Sequence, residues 1–102
     1  MTINQLRQYR KNKGRKLLLE SELEEEKSEK EIKQLKTQID VLCAALAEVE
    51  EYIKNVDDNY IANMLEAHYI HGKSWTNIAC YMGGGNTNES VRKQCHRYIK
   101  KS

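Results

Sequence analysis

The stretch Tyr69-Ile70-His71-Gly72-Lys73-Ser74-Trp75-Thr76-Asn77-Ile78-Ala79-Cys80-Tyr81-Met82-Gly83 decides how this chain is read. Gly72 is a residue type that ends helices and Ser74 one that caps the start of the next. Trp75, Ile78, Ala79 and Met82 then recur along one face at helical spacing. A short helix enclosed by two glycines is expected, with Ala79 small where a crossing helix needs close approach. The Gly83-Gly84-Gly85-Asn86-Thr87-Asn88 stretch that follows suits a turn with several backbone positions at positive φ. Asn86 with Glu89 three residues later reads as a capping box, and Val91, Cys95, Tyr98 and Ile99 form the apolar stripe of a last helix. Upstream, Asp57-Asp58-Asn59 offers cap-forming residues before an amphipathic run, Ile61, Met64, Leu65, Tyr69 and Ile70, that stops at Gly72. The three stripes are expected to close one small core around Trp75. Two helices crossing at an Ile-Ala pair, with cations outward on the second, form the pattern of a helix-turn-helix.

Further towards the N-terminus, apolar residues fall at Ile32, Leu35, Ile39, Leu42, Leu46, Val49, Ile53 and Val56, in alternating steps of three and four. That is a heptad seam, and it predicts a long helix with a narrow sticky stripe. At 1.5 Å per residue the seam is roughly 37 Å long, more than a small globule covers, so a partner helix is implied. Ile at one seam position with Leu or Val at the other favours two parallel strands, and these eight residues are the expected dimerisation surface. An antiparallel pairing, or packing against the chain's own N-terminal helix, stays open. The register fails before Ile32, where Ser28, Glu25, Ser21 and Gly14 occupy core positions. No Gly, Pro or Asn marks a turn between Glu20 and Glu31. A continuous helix is therefore expected there, with Asn12-Lys13-Gly14 as the break, and a hairpin that folds Ile3, Leu6 and Leu17 to Leu23 back onto the seam is the alternative.

The 102 residues contain no proline and are 31% charged, which favours an all-α chain of one small domain plus an appendage. The expected parts are a basic N-terminal arm over 1–16, a long coiled-coil helix over 17–56, and a three-helix DNA-binding domain over 57–102. The net charge of +2 conceals segregation: these regions, with the last boundary taken at residue 58, carry balances of +6, −8 and +4. An acidic middle cannot sit on phosphate, whereas both ends can. No stretch approaches a membrane span, and no apolar segment follows the basic N-terminus, so a cytoplasmic location without membrane contact is expected. Cys43, Cys80 and Cys95 are odd in number with apolar neighbours, and read as small buried residues.

Packing of the last helix leaves Asn88, Arg92, Lys93, His96, Arg97 and Lys100 on its open sides. Arg forks onto guanine, Asn pairs with adenine, and Lys holds phosphate, so these residue types suit a major groove. Lys73, Ser74, Thr76 and Asn77, around the start of the preceding helix, are candidate phosphate contacts. The glycine-rich stretch lacks the Gly-Lys-Ser/Thr ending of a phosphate-binding loop, and no strand precedes it. Cysteine and histidine spacings do not suit a metal, and no catalytic constellation stands out, so neither cofactor nor enzyme is expected. Arg7, Arg10, Lys11, Lys13, Arg15 and Lys16 suggest a basic zipper that Gly14 interrupts. A loosely ordered, solubilising arm is the expectation there, with non-specific phosphate contact as the alternative.

From about Asp57 to Lys101 the chain resembles the helix-turn-helix of sigma-factor region 4, and most of all the small phage and prophage transcriptional regulators of the ArpU and RinA kind. The residues that carry this are His68-Tyr69-Ile70-His71-Gly72-Lys73-Ser74-Trp75, Ile78-Ala79, Met82-Gly83, and Ser90-Val91-Arg92 with Arg97. The resemblance implies a DNA-binding domain preceded by a helical, often coiled-coil part, in a regulator of late genes. One departure is that Gly83 and Val91 enclose seven residues where the motif has about five. The expectation is a sequence-specific regulator that binds duplex DNA as a coiled-coil dimer. The alternatives are a protein-interaction adaptor, such as an anti-repressor or phage assembly component, and a sigma-like factor that binds RNA polymerase.

Overall fold

Thr2 starts the first helix through a reciprocal cap. Its hydroxyl accepts from the Gln5 amide at 3.1 Å, while its own amide donates to the Gln5 side chain at 2.8 Å. In the computed structural model, which describes residues 1–101, this helix (α1, Ile3–Arg7) leads through Gln8 into α2 (Tyr9–Glu25). The expected break at Asn12-Lys13-Gly14 is absent: α2 runs through Gly14, because an exposed helical glycine costs only about 1 kcal/mol.

The chain turns back instead at Glu26-Lys27-Ser28, where a continuous helix was expected. Glu26 and Ser28 take extended backbone angles, and the Glu26 carboxylate accepts from the amides of Lys27 and Ser28, both at 3.0 Å. α3 (Glu29–Lys54) then returns alongside α2 as an antiparallel hairpin. Glu29 and Glu31 sit in its first turn, where the helix dipole favours negative charge.

The hairpin changes what the heptad seam does. Leu35, Leu46, Val49, Ile53 and Val56 are buried within the single chain, and Ile32, Ile39 and Leu42 are half-buried. The partner helix demanded by the stripe is the chain's own α2, which contributes Tyr9 and Leu19. Packing against the chain's own N-terminal helix, one of the arrangements left open for this seam, is thus the one observed, and five of the eight expected dimerisation residues are buried in it.

α4 (Asn59–Leu65) begins under Asp58, whose carboxylate accepts from the amides of Tyr60 and Ile61 at 2.9 and 3.2 Å. It continues into one π-helical turn, Glu66–Ile70, in which the His71 amide reaches back five residues to the Glu66 carbonyl at 3.1 Å. The chain leaves this helix at Gly72, whose φ of +72° is open to glycine at little cost. α5 (Trp75–Met82) starts under Ser74, which accepts from the Asn77 amide at 3.1 Å, and α6 (Asn88–Lys101) follows.

One core joins both ends of the chain. Leu6, Met64, Leu65, Val91 and Cys95 are fully buried, with Tyr9, Leu46, Val49, Ile53, Tyr69, Ile78, Ala79 and Ile99 around them. The core therefore crosses the boundary expected near Val56. It also takes in Leu6 and Tyr9, so the N-terminal segment is docked by apolar burial rather than loosely ordered. Trp75, the expected centre, lies half-buried at the rim. Of the cysteines only Cys95 is buried; Cys43 is half-buried and Cys80 exposed. The molecule measures 57 × 25 × 18 Å, with the free end of the hairpin projecting from the core-bearing end. No helix among the described residues is long and apolar enough to cross a membrane.

Candidate nucleic-acid interface

The turn between α5 and α6 determines what α6 presents. Gly83, Gly84 and Gly85 have φ of 61°, 63° and 77°, a run of left-handed positions that only glycine adopts without strain. Asn86 then holds the turn through its side-chain amide, which donates to the Gly83 carbonyl at 2.8 Å and to the Tyr60 hydroxyl at 3.0 Å. The turn is thus pinned to the first residues of α4. The capping box lies one residue later than expected: Ser90 N donates to Thr87 Oγ1 at 3.1 Å and Thr87 N to Ser90 Oγ at 3.0 Å. Glu89, expected in that box, pairs instead with Lys93 at 3.6 Å.

With Val91, Cys95 and Ile99 buried, the cations of α6 divide around the helix. At about 100° per residue, Asn88, Arg92 and His96 follow one line that drifts only about 40° per step. This line runs beside the start of α5, and Asn88, Arg92, Trp75 and Thr76 line a shallow groove. The Asn88 amide donates to Thr76 Oγ1 at 3.3 Å, which leaves the threonine hydroxyl hydrogen for an outside acceptor. Lys93 and Lys100 lie further round, opposite the core. Arg97 stands about 140° from Arg92 and only about 40° from Lys93, also opposite the core. The ten expected contact residues are therefore not one surface. Lys73, Ser74, Thr76, Asn77, Asn88, Arg92, Lys93, Arg97 and Lys100 are exposed and His96 is half-buried. Within this set Thr76, Asn88 and Arg92 meet at the groove. The Lys73 ammonium instead lies over the Tyr81 ring, 5.9 Å from its centroid.

An aromatic stack borders the groove. His68 and Trp75 are parallel with centroids 3.8 Å apart, and His96 meets the Trp75 ring edge-on at 6.2 Å. His68 Nδ1 donates to the Lys73 carbonyl at 2.7 Å, since that oxygen can only accept, and this bond fixes both the imidazole and the turn that leads into α5. The π-helical turn carries His68 and Tyr69 into this position. Burial, and then the nearby Arg7 charge, push the His68 pKa below the ordinary imidazole value against the opposing effect of the Lys73 carbonyl. His96 is lowered as well, first by burial and then by Arg7, Arg92, Lys100 and His68. Both are neutral at physiological pH, so the cations of this surface there are the arginines and lysines. Burial alone pushes the Cys95 thiol up to about 12, which leaves it chemically inert.

Two supports of the surface, Tyr60 and Asn86, were not foreseen, and Arg7 and Arg10 were foreseen only as cations of a loose arm. The first pair could be found only with the turn geometry in hand. The second pair had a signal, the apolar Leu6 and Tyr9 that flank the cations and bury in the core. Set against known proteins, the chain matches no protein-family model, no curated protein and no solved structure at the significance required.

Proposed function

We propose that this chain is a sequence-specific DNA-binding regulator in which α5, the glycine turn and α6 act as a helix-turn-helix and α6 reads the major groove. This is the role that the resemblance to phage transcriptional regulators implies. The observation that carries the reading is the groove in which Arg92 and Asn88 of α6 lie beside Thr76 and Trp75 at the start of α5. Arg and Asn are the two side chains that recognise guanine and adenine bidentately, and the Thr76 hydroxyl stands where a flanking phosphate would pass. The test is selection of bound fragments from a random duplex pool, followed by gel shifts of Arg92→Ala and Arg97→Ala on the selected site. Arg92→Ala should cost about 1–3 kcal/mol and relax preference at one base position, and Arg97→Ala should cost less. Unchanged affinity and salt slope for Arg92→Ala would remove α6 from the interface.

A second reading, an adaptor that binds protein through the hairpin, is favoured by one observation. Leu17, Leu18 and Val41 are 61%, 67% and 65% exposed on the hairpin. Where exposed apolar side chains form a contiguous patch, they mark interaction surfaces. An adaptor would show neither retention on heparin nor a shift of random duplex DNA, and a DNA-binding regulator shows both.

A further inference from the structure

The N-terminal segment carries six cations and no acid, yet it packs against a C-terminal region that is itself +4. Like charge opposes that docking, and the burial of Leu6 and Tyr9 overcomes it. Leu6 and Tyr9 alternate along the chain with Arg7 and Arg10. Arg10 lies over the turn into α5: its guanidinium is the group that a Cβ added at Gly72 would meet first. Arg7 lies close enough to His68 and His96 to act on both imidazoles. Both arginines are exposed, and among the described residues neither has a carboxylate within salt-bridge distance, whereas Lys16, His71 and Lys93 each have one. Seven carboxylates, Glu20 to Glu31, gather towards the hairpin's free end, whereas Glu50 accepts from the Tyr9 hydroxyl at 3.2 Å and Glu66 and Glu89 are paired with His71 and Lys93. Two guanidinium groups without a carboxylate partner therefore lie beside the turn into α5 and the imidazoles that border the α5–α6 groove, while the nearby Glu66 and Glu89 face His71 and Lys93.

We infer that Arg7 and Arg10 form a phosphate clamp that holds the DNA backbone beside the groove while α6 enters it. The inference rests on the reading of α6 as the DNA-contacting helix, and it adds the folded N-terminal helix as a second limb of that interface. The clamp grips any sequence, because phosphate contacts position a protein without reading bases. Arginine suits the role because its planar fork matches phosphate oxygens bidentately.

The test compares the full chain with Arg7→Gln/Arg10→Gln on a short fluorescein-labelled duplex of mixed sequence, by polarisation across a salt series. Two lost phosphate contacts should reduce the slope of log affinity against log salt by about 1.8. Equivalently, the affinity ratio of the parent chain to the variant should fall about 12-fold between about 50 and 200 mM salt. Arg7→Lys/Arg10→Lys keeps the charges and should hold the parental slope, which a merely structural role of the guanidinium groups over Gly72 would not require. Arg15→Gln/Lys27→Gln removes the same charge from the hairpin and should leave the slope alone. A parental slope in Arg7→Gln/Arg10→Gln, with binding still lost in Arg92→Ala, would overturn the clamp and leave α6 as the contacting helix. If Arg92→Ala also binds normally, the reading of α6 fails and the clamp fails with it.

Discussion

Leu6→Ala should unfold this protein at a markedly lower temperature. Leu6 has no exposed surface, and its neighbours in the core come from the C-terminal half of α3 and from α4 to α6. Truncation to alanine removes three carbons, worth about 0.8 kcal/mol each or roughly 2.4 kcal/mol in transfer alone. The cavity left behind raises this, and Leu→Ala changes at fully buried sites range from about 2 to 5 kcal/mol. In a domain of this size each kcal/mol lowers the melting temperature by about 4–8 °C, so a fall of at least roughly 10 °C is expected. Thermal melts followed by far-UV circular dichroism measure it. Leu18→Ala is the control, 67% exposed on α2 and expected within about 0.5 kcal/mol of the parent. If Leu6→Ala melted with the Leu18→Ala control, α1 would not be part of the folded core, and Arg7 and Arg10 would lose the anchor that places them.

The other predictions concern the seam, the turn and pH. Leu42→Glu/Leu46→Glu should abolish cooperative melting of the chain itself, since Leu46 belongs to the intrachain core; light scattering that showed a stable folded monomer derived from a parental dimer would restore the seam as an interface between chains. Asn86→Ala loses the side-chain bonds to Gly83, Tyr60 and Ser90 and should cost about 1–3 kcal/mol in thermal stability while weakening DNA binding more than Ser90→Ala does. For pH, His68 and His96 titrate lower in the folded chain than the value of about 6.5 expected when it is unfolded. The unfolded state therefore binds more protons, and stability is complete above that value and declines as pH falls below it towards the folded values. Melting temperatures should drop between about pH 7 and 5, and His68→Gln/His96→Gln should flatten that slope; a parental slope in the double variant would refute the assignment.

How far the sequence was legible depended on whether a signal was local. Asp58, Gly72, Ser74 and the Ile61–Ile70 stripe act through neighbours within a turn or two of helix, and the expected boundaries of α4 and α5 match the structure. The hairpin was misread because its turn uses no Gly, Pro or Asn. Glu26, a good helix former, bends the chain by accepting two backbone amides with its own carboxylate. What selects the turn is long-range burial, the need of Leu35, Val49 and Ile53 for a partner, and Tyr9 and Leu19 supply it from residues that no heptad register connects to the seam. The N-terminal arm was misread for a related reason. Its six cations dominate its composition, while the two residues that fix its position, Leu6 and Tyr9, are too few to make a stripe.

The enlarged turn was the point on which the direction of α6 depended, and the geometry answers it by an additional tether. Two extra residues between Gly83 and Val91 would let α6 swing if the turn were a free loop, because each added residue brings backbone freedom that a tight turn lacks. Asn86 removes that freedom by binding the turn's own carbonyl and the Tyr60 hydroxyl of α4 together, and Ser90 adds a bond to Asn86 Oδ1 at 3.3 Å. At the other end of α6 the Tyr98 hydroxyl donates to Asp57 at 3.1 Å, so the helix is held at both ends to the segment that starts α4. Its rotation about its own axis is then set by Val91, Cys95 and Ile99 in the core. Rotation fixed by burial and direction fixed by the two tethers together decide that Arg92, and not Arg97, shares a groove with Thr76 and Trp75. A change at Tyr60 or Asp57 should therefore act on DNA recognition from outside the interface, by altering where Arg92 points while leaving its charge in place.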